Sequence, residues 1–191
     1  MLARLQEAVD RVEPGYEAVL LGYALCGNGL AGLTACAIPL VVPRAHDCIT
    51  LFLGSRERYL EYFHSHPGVY FKTSGWIERG QAQDRQLGFQ YDDLVERYGE
   101  DNARYLYEEL TRHYRQFTYI EMGVEPDNRF EERTRQEAAS AGWEFEKLQG
   151  DLGLLRRLVD GPWDERDFLM VPPGSRIAVR HDESIISCEP V

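Results

Sequence analysis

The sequence predicts an α/β protein built as two small Rossmann-like lobes, with mainly parallel sheets and a cleft between them. Three observations carry that expectation. Residues 16–25 and 38–43 are nearly continuous apolar runs, as in strands buried on both faces. Stretches of helical period separate such runs. The same strand–helix alternation returns after a polar stretch at 77–92, which reads as a connector. The division falls near residue 80, giving an N-terminal lobe over 1–80 that carries a Cys/His site and a C-terminal lobe over 81–191. A single mixed sheet is the alternative.

Residues 2–13 form an amphipathic helix with Leu2, Leu5, Val9 and Val12 on one face, stopped by Pro14-Gly15. The run YEAVLLGYAL (16–25) is the first strand. A glycine turn and a short helix, GLAGLTAC (29–36), follow it. IPLVVP (38–43) is the second strand, RAHDC its exit loop, and 49–66 reads mostly as helix. GVYFKTSGW (68–76) is a third strand and loop. Beyond the connector, 93–116 is mainly helical, with a break expected near Gly99. FTYIEMG (117–123) is a strand, 129–143 a helix that stops at Gly142, 144–151 a short strand, 152–161 a helix, and DFLMVPPG (167–174) a strand ending in a turn.

Composition narrows the function. Twenty-one Lys and Arg against 32 Asp and Glu give a formal net charge of −11, which argues against nucleic-acid and membrane-surface partners. No apolar run approaches the ~20 residues of a bilayer span. The N-terminus lacks the apolar core of a signal peptide, so a cytoplasmic location is expected. In that compartment Cys26, Cys36, Cys48 and Cys188 are thiols or ligands rather than disulfides.

Two features of the first lobe compete for the site. Gly27-x-Gly29-x-x-Gly32 follows a strand and spells the dinucleotide fingerprint, in which a helix N-terminus faces the pyrophosphate. The next strand ends in Arg44, suited to a 2′-phosphate, with Asp47 only in the loop beyond. A lone fingerprint is weak, and the glycines serve close packing equally well. The second feature is Cys26, at the carboxyl end of the first strand. In a parallel sheet that edge also carries His46 and Cys48 from the next exit loop, and a thiolate–imidazole set suits zinc or iron. Asp47 is then a further ligand or orients His46 from behind. A redox or nucleophilic Cys26–His46 pair is another reading. The plain one makes Asp47 a helix N-cap, His46 a polar loop residue and Cys26 a small buried hydrophobe.

Other residues weigh less. Thr73–Trp76 ends the third strand on the same edge and is expected to line the pocket, with Trp76 equally a packing residue, while Glu121–Gly123 and Val171–Gly174 end strands of the second lobe and are expected at the cleft. His64 and His66 read as a cationic helix end, Cys36 as core, Cys188 as outside the site, and Arg112, His113 and Arg115 as a solvated face. No residue is assigned as catalytic.

The stretches LLGYALCGNGLAGL, PLVVPRAHDCITLFLGSRERYLEYF and YFKTSGWIE, with the later YIEMG, GWEFEKLQGDLGLLRRLVDGPW and FLMVPPGSRI, resemble the domain of unknown function 1638 family along nearly the whole chain. That family has no settled activity. Its members often accompany corrinoid methyl-transfer systems, so the resemblance implies one-carbon metabolism, with a corrinoid as possible cofactor and a corrinoid protein or methyltransferase as partner. It also implies a strand bearing a further cysteine upstream of the opening helix, so either this chain starts late or its site lacks a ligand and its sheet a strand. Taken together, the expected function is binding of a metal or metallocofactor at Cys26, His46 and Cys48. A dinucleotide enzyme using Gly27, Gly29, Gly32 and Arg44, and a noncatalytic partner-binding module, are the alternatives.

Overall fold

A computed structural model describes residues 1–83 and 91–191. In chain order its elements are α1 (Leu2–Asp10), β1 (Val19–Leu20), β2 (Thr34–Ala35), β3 (Leu40–Pro43), α2 (Cys48–Leu53), α3 (Arg56–Ser65), β4 (Val69–Lys72), α4 (Ser74–Gln83), α5 (Tyr91–Tyr98), α6 (Glu100–Thr111), β5 (Gln116–Glu121), α7 (Arg129–Ala141), β6 (Glu144–Gln149), α8 (Gly153–Asp160), β7 (Phe168–Val171), β8 (Ser175–Val179) and β9 (Ile186–Pro190). The fold is mixed α/β with three small sheets, ordered β1-β3-β7, β2-β8-β9 and β4-β5-β6.

The chain divides into two compact units. One joins Met1–Glu61 to Asp151–Val191; the other is Tyr62–Gly150. This differs from a single cut near residue 80. The reason is β7, which pairs with β3 rather than with β6 and carries the C-terminal segment back to the first unit.

In the first unit, β3 lies between β1, parallel to it, and β7, antiparallel to it. All four β3 residues are buried. Leu40 and Val42 face a core with Leu30, Leu33, Val171 and Ile177, while Val41 faces the opposite core with Leu51, Leu154, Leu158 and Phe168. Alternate residues thus serve different cores, which is why the sequence shows an unbroken apolar run. The second sheet is wholly antiparallel. The expectation of mainly parallel sheets therefore holds only for the β4-β5-β6 sheet and the β1–β3 pair. Strands β8 and β9 have no counterpart among the sequence expectations.

The helix expected over 29–36 is absent: 26–32 are turns, leading into β2. The long helix expected over 49–66 is two helices. Gly54 ends α2 in the left-handed conformation (φ 79°), its N–H bonded to Thr50 O at 3.1 Å, and Ser55 Oγ caps the next turn by accepting from Arg58 N–H at 3.1 Å. The connector expected over 77–92 is helical through Gln83 and again from Tyr91; its middle, 84–90, lies outside the described residues.

The second unit is a three-stranded parallel sheet with β5, buried over Gln116–Ile120, at its centre. Helix α7 packs on β5 and β6. The expected break at Gly99 separates α5 from α6, and Gly142 ends α7 in the left-handed region as its position in the sequence implies.

Arg44 holds the two chain segments of the first unit together. Its Nε donates to Glu165 O at 2.9 Å and its Nη1 to Ser184 O at 2.8 Å and to Ile186 O. Hydrogen bonds from a charged donor are worth roughly 1.5–3 kcal/mol each, less once the carbonyls rehydrate. Arg44→Ala should lower the unfolding free energy by about 2–3 kcal/mol in a denaturant titration, with Arg44→Lys recovering only part. A loss under about 0.5 kcal/mol would mean the clamp is idle.

Candidate functional site

The β1–β3 register persists beyond the strands themselves. Val19 N–H donates to Pro39 O and Leu21 N–H to Val41 O, and the same offset of twenty returns where Leu25 N–H donates to Ala45 O at 3.0 Å and Cys26 N–H to His46 O at 2.9 Å. The exit loops thereby leave the sheet side by side. At that point the first loop turns sharply: Cys26, Gly27 and Asn28 have φ of 43°, 64° and 68°, and Gly29 N–H closes on Leu25 O at 2.7 Å. Three successive left-handed residues form one left-handed turn. Glycine adopts it freely and asparagine tolerates it, but a cysteine there carries roughly 1–2 kcal/mol of strain. Buried Leu30 and Leu33 fasten the turn to the core beyond it.

The second loop enters α2. Asp47 is its N-cap: Oδ1 accepts from Ile49 N–H at 2.9 Å and Oδ2 from Tyr59 OH at 2.9 Å. Burial and the Asp47 charge push the Tyr59 hydroxyl up, so it remains a donor. Cys48 is the first residue of α2, and its side chain interacts with that of Cys26. Burial, then the negative charges of Cys26 and Asp47, push the Cys48 thiol up to about 11. Cys26 itself is exposed.

The structure thus brings Cys26 and Cys48 together, and His46 joins them through its backbone. The exposed His46 side chain lines an open pocket of about 770 Å³ with Leu25, Asn28, Arg56 and His181, whereas neither thiol is in its wall. Among the described residues, no group of three or more His, Cys, Asp and Glu is arranged to hold a metal ion. Both Asp47 oxygens are engaged in capping and anchoring, so it positions its loop rather than offering a free donor.

Gly27, Gly29 and Gly32 shape the loop differently from a phosphate cradle. No helix follows them to face a pyrophosphate, and Gly32 (φ 85°) instead ties the loop to β8 by donating to Ile177 O at 2.8 Å. Arg44 donates to backbone carbonyls, as described above. Cys36, expected in the core, is exposed beyond β2, where its Sγ donates to Asp10 Oδ1 at 3.0 Å and the thiol is pushed up by that bond. The lost helix explains the difference. Cys188 is exposed on β9. Thr73–Trp76 and Glu121–Gly123 belong to the second unit, where Thr73 Oγ1 accepts from Trp76 N–H at the start of α4. His66 stacks on Tyr62 with centroids 4.0 Å apart, its Nε2 3.5 Å from Glu146. Sequence reasoning missed the left-handed turn, although Gly27-Asn28-Gly29 is a turn signature. It had no signal for Tyr59 or His181.

Fold and site define a mixed α/β protein that presents two thiols where a parallel strand pair ends. The chain belongs to the DUF1638 family, proteins of unknown function, which it matches over residues 1–159. Comparison with curated proteins and with solved structures gives no match.

Two outcomes follow from this geometry. Cys26→Gly relieves strain while giving up some unfolded-state entropy, so its stability should lie between wild type and about 1 kcal/mol above it. A loss greater than 1 kcal/mol on denaturation would show that the thiol is a packing group instead. The Cys48 thiol, two units above the ordinary 9.0, carries ~100-fold less thiolate than a free cysteine at pH 8. Peptide mapping after brief alkylation at pH 8 should therefore find Cys48 unmodified when Cys26 and Cys188 have reacted, with reaction at Cys48 rising toward pH 11.

Proposed function

We propose that this protein binds a soft metal ion, zinc or iron, or a metal-containing cofactor through Cys26 and Cys48. The observation that carries this reading is the strained left-handed turn that holds Cys26 beside Cys48. Strained backbone persists only where surrounding structure over-determines it, and it concentrates at functional sites. Nothing in the packing of Cys26 calls for the strain, since its side chain is exposed.

The donor set fits a particular kind of site. Two thiolates supply half of a tetrahedral shell and leave positions for ligands from outside the described chain, which suits a cofactor or an open site better than a closed structural zinc. His46 lines the neighbouring pocket, and Asp47 acts from behind, through the α2 cap. A bound metal would supply Lewis acidity; the chain's contribution is to hold the thiols, keep Cys48 protonated until metal displaces its proton, and orient the loop.

The placement at the carboxyl ends of β1 and β3 supports a Rossmann-like reading of this unit, since open α/β folds bind ligands there. The family resemblance extends the proposal to an accessory protein or enzyme of corrinoid-linked methyl metabolism, with a corrinoid protein or methyltransferase as partner. All four cysteines are free, as the reducing cytoplasm would keep them. No helix among the described residues is long and apolar enough to cross a membrane.

The test is elemental analysis of full-length protein purified without oxygen and reconstituted with Zn²⁺, Fe²⁺ or cobalamin. Wild type should retain about one metal per chain after desalting. Cys26→Ser and Cys48→Ser should lose it, and Cys36→Ser and Cys188→Ser should keep it. A wild type that retains none, or a Cys26→Ser protein that retains all of it, overturns the proposal.

A further inference from the structure

The second unit buries a charged group. Lys72, the last residue of β4, has a side chain only 3% exposed. Its Nζ pairs with one oxygen of Glu137 on α7 and lies 4.2 Å from the centroid of the Phe117 ring. The other Glu137 oxygen accepts from Arg133 Nε at 2.8 Å. Among the described residues, two cations therefore share one carboxylate, leaving a surplus positive charge on a chain whose net charge is −11. Burying an ion costs several kcal/mol, and an apolar residue of similar volume is often neutral or better. Consistent with that cost, burial lowers the Lys72 pKa, Glu137 opposes the shift, and Arg133 adds to it.

The surplus charge borders a recess. Lys72, Arg133 and Glu137 line an open pocket of about 560 Å³ together with Phe117, Trp143 and Tyr107. Phe117 and Trp143 have ring centroids 4.7 Å apart, and both belong to the wall. The two rings are tilted by 49° and packed together, and an aromatic wall beside one spare positive charge suits an anion that carries a ring. The rest of the wall comes from Gln136, Ser140 and Ala141, in the last turns of α7. A helix C-terminus carries partial negative charge and disfavours a second negative charge on the ligand.

We propose that this pocket binds a small aromatic monocarboxylate, its carboxylate on Lys72 and Arg133 and its ring against Phe117 and Trp143. The site lies within the second unit and shares no residue with the thiol pair of the first, so either proposal can fail alone. Lys72 supplies a desolvated charge, where a charge-assisted bond is strong, and Arg133 supplies the remaining guanidinium donors.

Equilibrium dialysis of radiolabelled benzoate against the full chain tests this directly. Saturable uptake of one benzoate per chain is expected, with acetate, benzylamine and phenyl phosphate each at least ~10-fold weaker, a difference of about 1.4 kcal/mol. Arg133→Gln, at a partly exposed position, should weaken benzoate at least ~10-fold without loss of fold, and Lys72→Met should abolish uptake. If Lys72→Met does not fold, Arg133→Gln decides. Absence of saturable uptake by wild type, unchanged affinity in Arg133→Gln, or binding of acetate or phenyl phosphate as tight as that of benzoate overturns the proposal.

Discussion

Strand β3 has neither a face nor an edge in water. Leu40, Val41 and Val42 are fully buried, on alternating sides, and β1 and β7 take the hydrogen bonds of both edges. A strand so enclosed has one tolerable register, because a slip of one residue would exchange the side chains of the two cores and misalign both neighbours. The first unit is organised around that constraint. It fixes where β1 ends, and it draws the C-terminal segment back through β7. It also sets the level at which Arg44 meets the carbonyls of Glu165, Ser184 and Ile186.

The thiol pair inherits its geometry from the same register. The offset of twenty between the two strands continues through Leu25–Ala45 and Cys26–His46, so the loops leave the sheet in step. The left-handed turn follows at once and is held at its base by Gly29 N–H on Leu25 O and beyond by buried Leu30 and Leu33. Strain at Cys26 is local, whereas the forces that maintain it are spread over a core. On the other loop, Asp47 spends both carboxylate oxygens on fixing the start of α2. The backbone of this site is thus tightly constrained on both loops, while the Cys26 side chain it displays is exposed.

Lys72 presents the opposite case: an ordinary strand backbone carrying a side chain in an unusual place. Its ammonium is desolvated beneath α7, with one carboxylate to neutralise both it and Arg133. A buried ion pair of this kind is weak evidence of stabilisation, because desolvation offsets much of the Coulombic gain. The Phe117 ring offsets part of the cost through its electron-rich face.

The sequence by itself determined where several of the buried strands lie and some of the points where the chain stops and turns. Apolar runs marked β3, β5 and β7, and glycine marked the ends of α5 and α7, because these signals are local: period and conformational freedom. The run expected as a strand over 16–25 pairs only at Val19–Leu20, and α1 ends at Asp10, before Pro14-Gly15. It also placed Cys26, His46 and Cys48 on one sheet edge, which follows from parallel pairing alone. Only the tertiary structure decided that β7 returns antiparallel to β3, that β8 and β9 form a sheet with β2, and that the segment expected as a helix over 29–36 is turns leading into β2. Those outcomes rest on partners far away in the chain, and glycine spacing is compatible with both a cradle and a turn. The same holds for side-chain direction. Whether His46 faces the thiols or the pocket, whether Arg44 is free or bound to three carbonyls, and whether Lys72 points into water or under α7 each depend on what packs alongside, and local pattern carries no record of that.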